Sequence, residues 1–178
     1  TAIADVLHVY GQHGLVRTFQ FRHETEMAHA ATALRWIYDM PSAVVTSIGP
    51  GALQAMAGSL VAASNGIGVY HLYGDATTHG EGYNMQQVPK EEQGLFGLRE
   101  AMRRGRATVF HPTKAGPFYL LMPINTQPEM VAVNVAALPD TATPAPLVTT
   151  GADVLSEAAR VIAGYDRVVI KAGGGTRK

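Results

Sequence analysis

Short apolar runs and longer amphipathic runs alternate along most of the chain. Apolar or β-branched runs predict five strands, near residues 6–10, 42–48, 68–73, 107–111 and 117–122. Apolar residues at helical spacing predict three helices, near residues 24–38, 51–64 and 93–104. Such alternation is typical of strand–helix–strand units. We therefore predict an α/β fold with a mainly parallel sheet and helices on both faces.

The pattern changes after Gln127. Residues 128–150 are rich in Pro, Thr and Ala without clear periodicity, which indicates an extended linker. Residues 151–178 give one helix, one strand and a Gly-rich turn, too little chain to bury a core of its own. We predict a first domain over 1–127, a linker over 128–150 and the start of a further domain over 151–178. The strand-like run so close to Thr1 leaves no room for a leading helix, so we expect truncation there as well.

Composition excludes several classes of protein. The 178 residues include 14 basic and 14 acidic side chains, and no basic cluster is larger than the RRGR at 103–106, so we expect no nucleic-acid partner. The absence of Cys excludes a disulfide, a thiolate zinc site and a Cys nucleophile. We see no signal-peptide pattern and no apolar run of roughly 18 residues, so we expect a cytoplasmic protein without a membrane segment.

Familiar catalytic motifs are also missing. The stretch HETEM at 23–27 has Met27 where a zinc-binding HExxH motif needs its second His. Ser47 is not in a GxSxG motif, because Val45 stands two positions before it. The stretch KAGGGTRK at the end is a weak phosphate-loop signal and is better explained as a turn after a strand. We assign no metal ligand in this chain.

Two short motifs have both a structural and a functional interpretation. Glu24 begins a predicted helix, where the macrodipole favours an acid by roughly 0.3–1 kcal/mol. Gly49, Pro50 and Gly51 stand between a predicted strand and a predicted helix, where they form a serviceable turn. Neither motif alone is specific for a function.

Their order along the chain is far more specific. The succession of RHE, MAHAATALRW, MPSAVVTSIGPGA, LQAMAGSLVAASNG and GVYHLYGD resembles the pyrimidine-binding domain of thiamine-diphosphate-dependent enzymes. Within that superfamily it is most similar to the acetolactate synthase group, and there to the trihydroxycyclohexanedione hydrolases of inositol breakdown. The resemblance continues through MQQVP at 85–89 and AGPFYLLMPINTQ at 115–127. DRVVIKAGGG is similar to the first strand and Gly turn of the family's Rossmann-like central domain, so almost the whole chain is covered.

The resemblance implies a chemical role for Glu24. Its carboxyl would share a proton with the ring nitrogen of the aminopyrimidine and drive the tautomerisation that lets the exocyclic nitrogen remove the thiazolium C2 proton. Gly49, Pro50 and Gly51 would let the backbone approach the pyrimidine closely. The implied cofactors are thiamine diphosphate and Mg²⁺, and the diphosphate and metal ligands would lie in a separate domain outside this chain segment.

Other polar residues are candidates for substrate contact or proton relay. His13 and His79 follow predicted strands, at the edge where parallel sheets collect ligands, and His titrates near neutral pH. Exposed loop histidines explain both residues equally well. Asp75 replaces the Gln common after this strand in acetolactate synthases, which favours the inositol-pathway branch. The full set of candidates is Gln12, His13, Asp75, His79 and Gln87.

We therefore expect part of an enzyme that makes or cleaves a C–C bond next to the carbonyl of a small-molecule substrate. The alternatives are a 2-oxo acid decarboxylase of the same superfamily and a catalytically silent α/β binding module. Small residues along one side of helix 51–64, together with the resemblance, predict a homo-oligomer, a dimer or tetramer, with a shared cofactor site. Packing of that helix inside its own domain explains the small residues almost as well. These motifs do not specify the substrate or whether FAD is bound.

Overall fold

The computed structural model describes residues 1–77, 98–130, 132, 134–138, 151–173 and 176. The chain divides into two compact units, residues 1–142 and 143–178, with the division inside the predicted linker. The domain boundaries at 127 and 150 stay predictions. The elements, in chain order, are α1 (Ala2–Gln12), α2 (Glu24–Tyr38), β1 (Ala43–Thr46), α3 (Pro50–Gly58), α4 (Leu60–Asn65), β2 (Tyr70–Asp75), α5 (Leu98–Val109), β3 (Phe118–Pro123), a 3-10 turn (Val135–Ala137) and α6 (Ala152–Ala163).

The first unit is built on a three-stranded parallel sheet in the order β1-β2-β3. Val44 is paired with His71, and His71 with Tyr119, so these three residues share one level and one face of the sheet. Helices connect the parallel strands, as crossovers between parallel strands require. The predicted α/β fold is confirmed.

Helices cover both faces of this sheet. The face that carries Val44 and Tyr73 packs against a core made mostly of alanines from α2, α3 and α4, namely Ala28, Ala31, Ala52, Ala55 and Ala62. The opposite face carries Tyr70 and Phe118, whose rings lie 2.9 and 3.0 Å from the position of a Cβ on Gly105 in α5. A side chain at Gly105 would therefore push α5 away from the sheet.

The helices α2 and α3 approach each other closely at Gly58. A Cβ on Gly58 would lie 2.8 Å from the Cβ of Ala28 and 2.8 Å from the carbonyl oxygen of Thr25. The Thr25 hydroxyl also donates a hydrogen bond to the Gln54 carbonyl across the same contact, at 3.0 Å. All the small residues that predicted a subunit interface are buried within their own unit: Gly51, Ala52, Ala55, Gly58, Ser59 and Ala62. Internal packing accounts for them, so they no longer support an interface.

The strand predicted near residues 6–10 is wrong, because this run belongs to α1. The Thr1 hydroxyl caps α1 by accepting a hydrogen bond from Ala4 N at 3.4 Å. Ile3 and Leu7 are half-buried and stand one helical turn apart. This helical spacing agrees with the observed helix, whereas the β-branched residues of VLHVY had indicated a strand. A leading helix is therefore present, contrary to the expectation.

Two further strands were predicted wrongly. The run near 107–111 contains the end of α5, because Ala101, Gly105 and Val109 continue one buried helical face. The run after α6 forms no strand within 167–173, where Val169 and Ile170 are 93% and 87% exposed. An apolar run becomes a strand when a neighbouring strand pairs with it, and the described residues of this unit supply none.

The helix predicted over 51–64 is present as two helices, α3 and α4, separated at Ser59. The Ser59 hydroxyl donates to the Met56 carbonyl at 2.6 Å and also forms a short hydrogen bond with the Tyr119 hydroxyl of β3. Such local bonding by Ser competes with regular helix geometry. Among the described residues, no helix combines the length and apolarity needed to cross a membrane.

A buried polar pair lies at the centre of the sheet. His71 is fully buried, its Nδ1 lies 2.8 Å from the Tyr73 hydroxyl oxygen, and its ring centroid is 5.1 Å from that of Tyr119. Burial lowers the pKa of His71 to about 4 and raises the pKa of the Tyr73 hydroxyl. Both groups are therefore neutral near pH 7.

We predict that acid destabilises the first unit through His71. The unfolded chain protonates this His near its ordinary pKa of 6.5, whereas the folded chain resists protonation down to about 4. The His71 contribution to stability is therefore complete above pH 6.5 and is lost as the pH falls toward 4, by about 2–3 kcal/mol.

Urea unfolding between pH 4 and 7 measures this loss. The double variant His71→Phe/Tyr73→Phe removes both polar partners together and should flatten the pH dependence in this range. An equal pH dependence in the wild type and the double variant would show that His71 is not the responsible group.

Candidate functional site

Glu24 is the first residue of α2 and is half-buried. The preceding residue, His23, is extended and caps the helix, with its Nδ1 accepting a hydrogen bond from Thr25 N at 3.3 Å. The His23 side chain therefore satisfies one of the N–H groups that the start of a helix leaves unpaired.

The Gly-Pro-Gly turn forms the start of α3. Gly49 is buried and has φ 65° and ψ −115°, a conformation that suits Gly and strains other residues. Pro50 follows as the first helical residue, where its missing N–H costs nothing. The Gly49 carbonyl accepts from Leu53 N at 2.9 Å, which fixes the turn onto the helix.

The Glu24 carboxylate meets this turn at Gly51. A Cβ on Gly51 would lie 3.2 Å from Glu24 Oε1, 3.0 Å from Ser47 Oγ and 3.5 Å from Thr46 Oγ1. We call these four residues the Gly51 cradle. The cradle lies at the carboxyl end of β1, the edge where parallel α/β sheets bind ligands.

The Glu24 carboxylate lies between the starts of two helices. Glu24 lies in the first turn of α2 and contacts the first turn of α3, and both helix starts carry partial positive charge. Within the described part of the chain, Glu24 forms no ion pair with Lys or Arg. A carboxylate held in this way can share a proton with a nitrogen of a bound molecule.

A comparison with protein families identifies the fold and its cofactor. The model described as "Thiamine pyrophosphate enzyme, N-terminal TPP binding domain" matches residues 1–94, just over half of the chain. The chain belongs to this family. Residues 1–94 therefore belong to the N-terminal domain of an enzyme that depends on thiamine diphosphate, which is thiamine pyrophosphate under its other name. No curated protein matches the chain.

The Gly51 cradle of this TPP-binding domain is compatible with its cofactor. A side chain at Gly51 would occupy the space between three side-chain oxygens. With Gly there, the Glu24 carboxylate keeps its place beside the start of α3. Among the described residues, no group of three His, Asp or Glu could hold a metal ion.

The remaining predicted candidates are dispersed. Gln12 ends α1 and His13 caps it, both exposed, and the Gln12 side chain lies 3.2 Å from His8 Nε2. Neither follows a strand, so the strand-end argument for His13 was wrong. Asp75 is the buried last residue of β2, at the predicted edge, and its Oδ1 accepts from Ala76 N at 2.8 Å. His79 and Gln87 lie outside the described residues.

Sequence reasoning did not identify Thr46 and Ser47 as members of the cradle. Both precede the Gly-Pro-Gly turn, and Ser47 does not lie in a GxSxG motif. The sequence signal for these two residues is a pair of hydroxyl side chains between a strand and a Gly-rich turn. This signal indicates a functional site only when the fold brings Glu24, more than 20 residues earlier, to the same place.

We predict that Gly51→Ala impairs the enzyme without unfolding it. The added methyl would displace the ends of the Glu24 and Ser47 side chains, while Ala raises helix propensity by up to about 1 kcal/mol. Turnover should fall more than roughly tenfold, the equivalent of about 1.4 kcal/mol, with little change in the urea midpoint.

Gly58→Ala is the matched control in the same helix. Its methyl would meet the Thr25 carbonyl and the Ala28 Cβ, so this variant should lose about 1–3 kcal/mol of stability. Wild-type turnover in Gly51→Ala, or equal destabilisation of both variants, would contradict the assignment of Gly51 to the site.

Proposed function

We propose that this domain belongs to an enzyme that makes or cleaves a C–C bond adjacent to a carbonyl, with Glu24 as its catalytic acid. Bound thiamine diphosphate supplies a nucleophilic thiazolium carbon and an electron sink. The role of this domain is to orient the aminopyrimidine and to exchange a proton with its ring nitrogen through the Glu24 carboxyl.

The main support for this proposal is the position of Glu24 Oε1. It is 3.2 Å from the place a Gly51 Cβ would take, at the carboxyl edge of the sheet and against the start of α3. Because Gly51 has no side chain, the ends of the Glu24 and Ser47 side chains can lie against the start of α3. The Gly49–Gly51 turn would then form one wall of the site, and Glu24 would face the ring edge.

This arrangement argues against a catalytically silent binding module. The Glu24 side chain is half-buried and lacks an ion-pair partner among the described residues, which stabilises the fold little. A module under selection for packing alone has no need for a carboxylate and two hydroxyls around the buried Gly51. A site that exchanges a proton with a bound molecule, in contrast, needs a carboxyl group such as that of Glu24 beside the molecule.

The substrate class rests on sequence similarity. The stretch TSIGPGA supports the acetolactate synthase group, and Asp75 at the end of β2, which replaces the Gln common in the synthases, favours within it a hydrolase of a cyclic diketone. We further propose Mg²⁺ bound by residues outside this segment, a cytoplasmic location, and a homo-oligomer that completes the site. Leu53, Met56 and Leu60 on α3 and α4 are 50%, 39% and 69% exposed, which supports contact with another apolar surface.

We predict that Glu24→Gln slows exchange of the thiazolium C2 proton in the holoenzyme. Gln keeps the size of the side chain but cannot exchange a proton with the pyrimidine, so the rate should fall by roughly 100-fold or more. The measurement is hydrogen–deuterium exchange at C2 of bound cofactor, followed by NMR after acid quench.

Glu26→Gln serves as the control. Glu26 lies in the same first turn of α2 but is exposed, so its variant carries the same charge change away from the cradle. Its exchange rate should equal that of the wild type. An unaltered rate in Glu24→Gln would refute the proposed role.

A further inference from the structure

The Gly51 cradle contains two hydroxyl groups beside the Glu24 carboxylate. Ser47 Oγ and Glu24 Oε1 lie 3.0 and 3.2 Å from one point, the place of a Cβ on Gly51. Thr46 Oγ1 is 3.5 Å from the same point. These hydroxyls come from the end of β1, whereas the carboxylate comes from the start of α2.

The hydroxyls of Thr46 and Ser47 differ in the strength of the hydrogen bonds that they donate to backbone carbonyls. Thr46 Oγ1 donates to the Ser47 carbonyl at 2.7 Å, a short and well-formed bond. Ser47 Oγ donates to the Ile48 carbonyl at 3.4 Å, beyond the usual range for O–H···O hydrogen bonds. The Ser47 proton is therefore the one that a stronger acceptor can take.

The Glu24 carboxylate is that stronger acceptor. Hydrogen bonds to an ionised carboxylate are shorter and roughly twice as strong as those between neutral groups. Ser47 is exposed and its Oγ turns about a single bond, so the exchange of acceptors requires no change in the backbone.

We propose that Ser47 is a positioning residue, whose hydroxyl donates to the Glu24 carboxylate and holds it at the edge of the Gly51 cradle. The proposal rests on the role proposed above for Glu24. One carboxylate oxygen is then fixed by Ser47, and the other would be left for the pyrimidine nitrogen. Without this bond the carboxylate occupies several orientations, and fewer of them are suited to proton exchange.

Isotope-edited infrared spectroscopy tests the contact directly. The sample is the cofactor-free, full-length enzyme labelled with ¹³C-glutamate, and subtracting the spectrum of Glu24→Gln isolates the Glu24 carboxylate band. Ser47→Ala should displace this band, and Ser47→Thr, which keeps a hydroxyl, should restore its wild-type position. Ser64→Ala is the matched control, because Ser64 lies on α4 and its hydroxyl donates to the Val61 carbonyl at 3.2 Å.

Exchange of the C2 proton in the holoenzyme is the second readout. Ser47→Ala should slow it by roughly tenfold, the effect of one hydrogen bond to a charged group, and Ser47→Thr should recover most of the rate. An undisplaced Glu24 band in Ser47→Ala would overturn the proposal, even if exchange were slower. Because the infrared samples contain no cofactor, they decide the Ser47–Glu24 contact independently of whether Glu24 performs the proposed chemistry.

Discussion

The close contact between α2 and α3 at Gly58 determines the geometry of the site. Gly58 brings the backbone of α3 against Thr25 and Ala28 of α2, closer than any larger residue would allow. Gly51 is two helical turns before Gly58, on the same side of α3. The contact that buries Gly58 therefore also directs Gly51 toward the first turn of α2, where Glu24 stands.

The sheet packs against the pair of helices α2 and α3. Val44 and Tyr73 pack against the alanines of α2, α3 and α4, and the Ser59 hydroxyl joins the α3–α4 junction to Tyr119 of β3. Because small residues leave little apolar area to bury, this layer depends on close fit and on buried hydrogen bonds. The end of β2 reaches the same region, where a Cβ on Gly74 would lie 3.4 Å from Ile48 N. The end of β2 therefore packs against the turn before α3.

Periodicity predicted the elements of this layer well. The helix expected near 24–38 is α2, and the strands expected near 42–48, 68–73 and 117–122 are β1, β2 and β3. The errors at 6–10 and 107–111 have one cause: both runs are rich in β-branched and apolar residues, yet the less exposed positions of their helices recur at helical spacing. Strand propensity depends on the neighbour that a strand pairs with, and a single sequence does not show that neighbour.

The candidate site was predictable in part. Glu24 and the Gly-Pro-Gly turn were found through family resemblance, because each motif alone has an ordinary structural explanation. Ser47 and Thr46 were not found, since their relation to Glu24 exists only in three dimensions. The strand-end argument for His13 failed because the strand expected before it is a helix. A strand end indicates a ligand edge only if the strand is really present.

The central claim is that Gly51 serves the enzyme by leaving room for the Glu24 carboxylate. A double-mutant cycle tests it, with C2 proton exchange measured in wild type, Glu24→Gln, Gly51→Ala and the double variant. If Gly51→Ala acts by displacing the carboxylate, adding it to Glu24→Gln should cause almost no further loss, so the effects are strongly non-additive. Additive losses, with Gly51→Ala slowing the Glu24→Gln enzyme as much as it slows the wild type, would contradict the account.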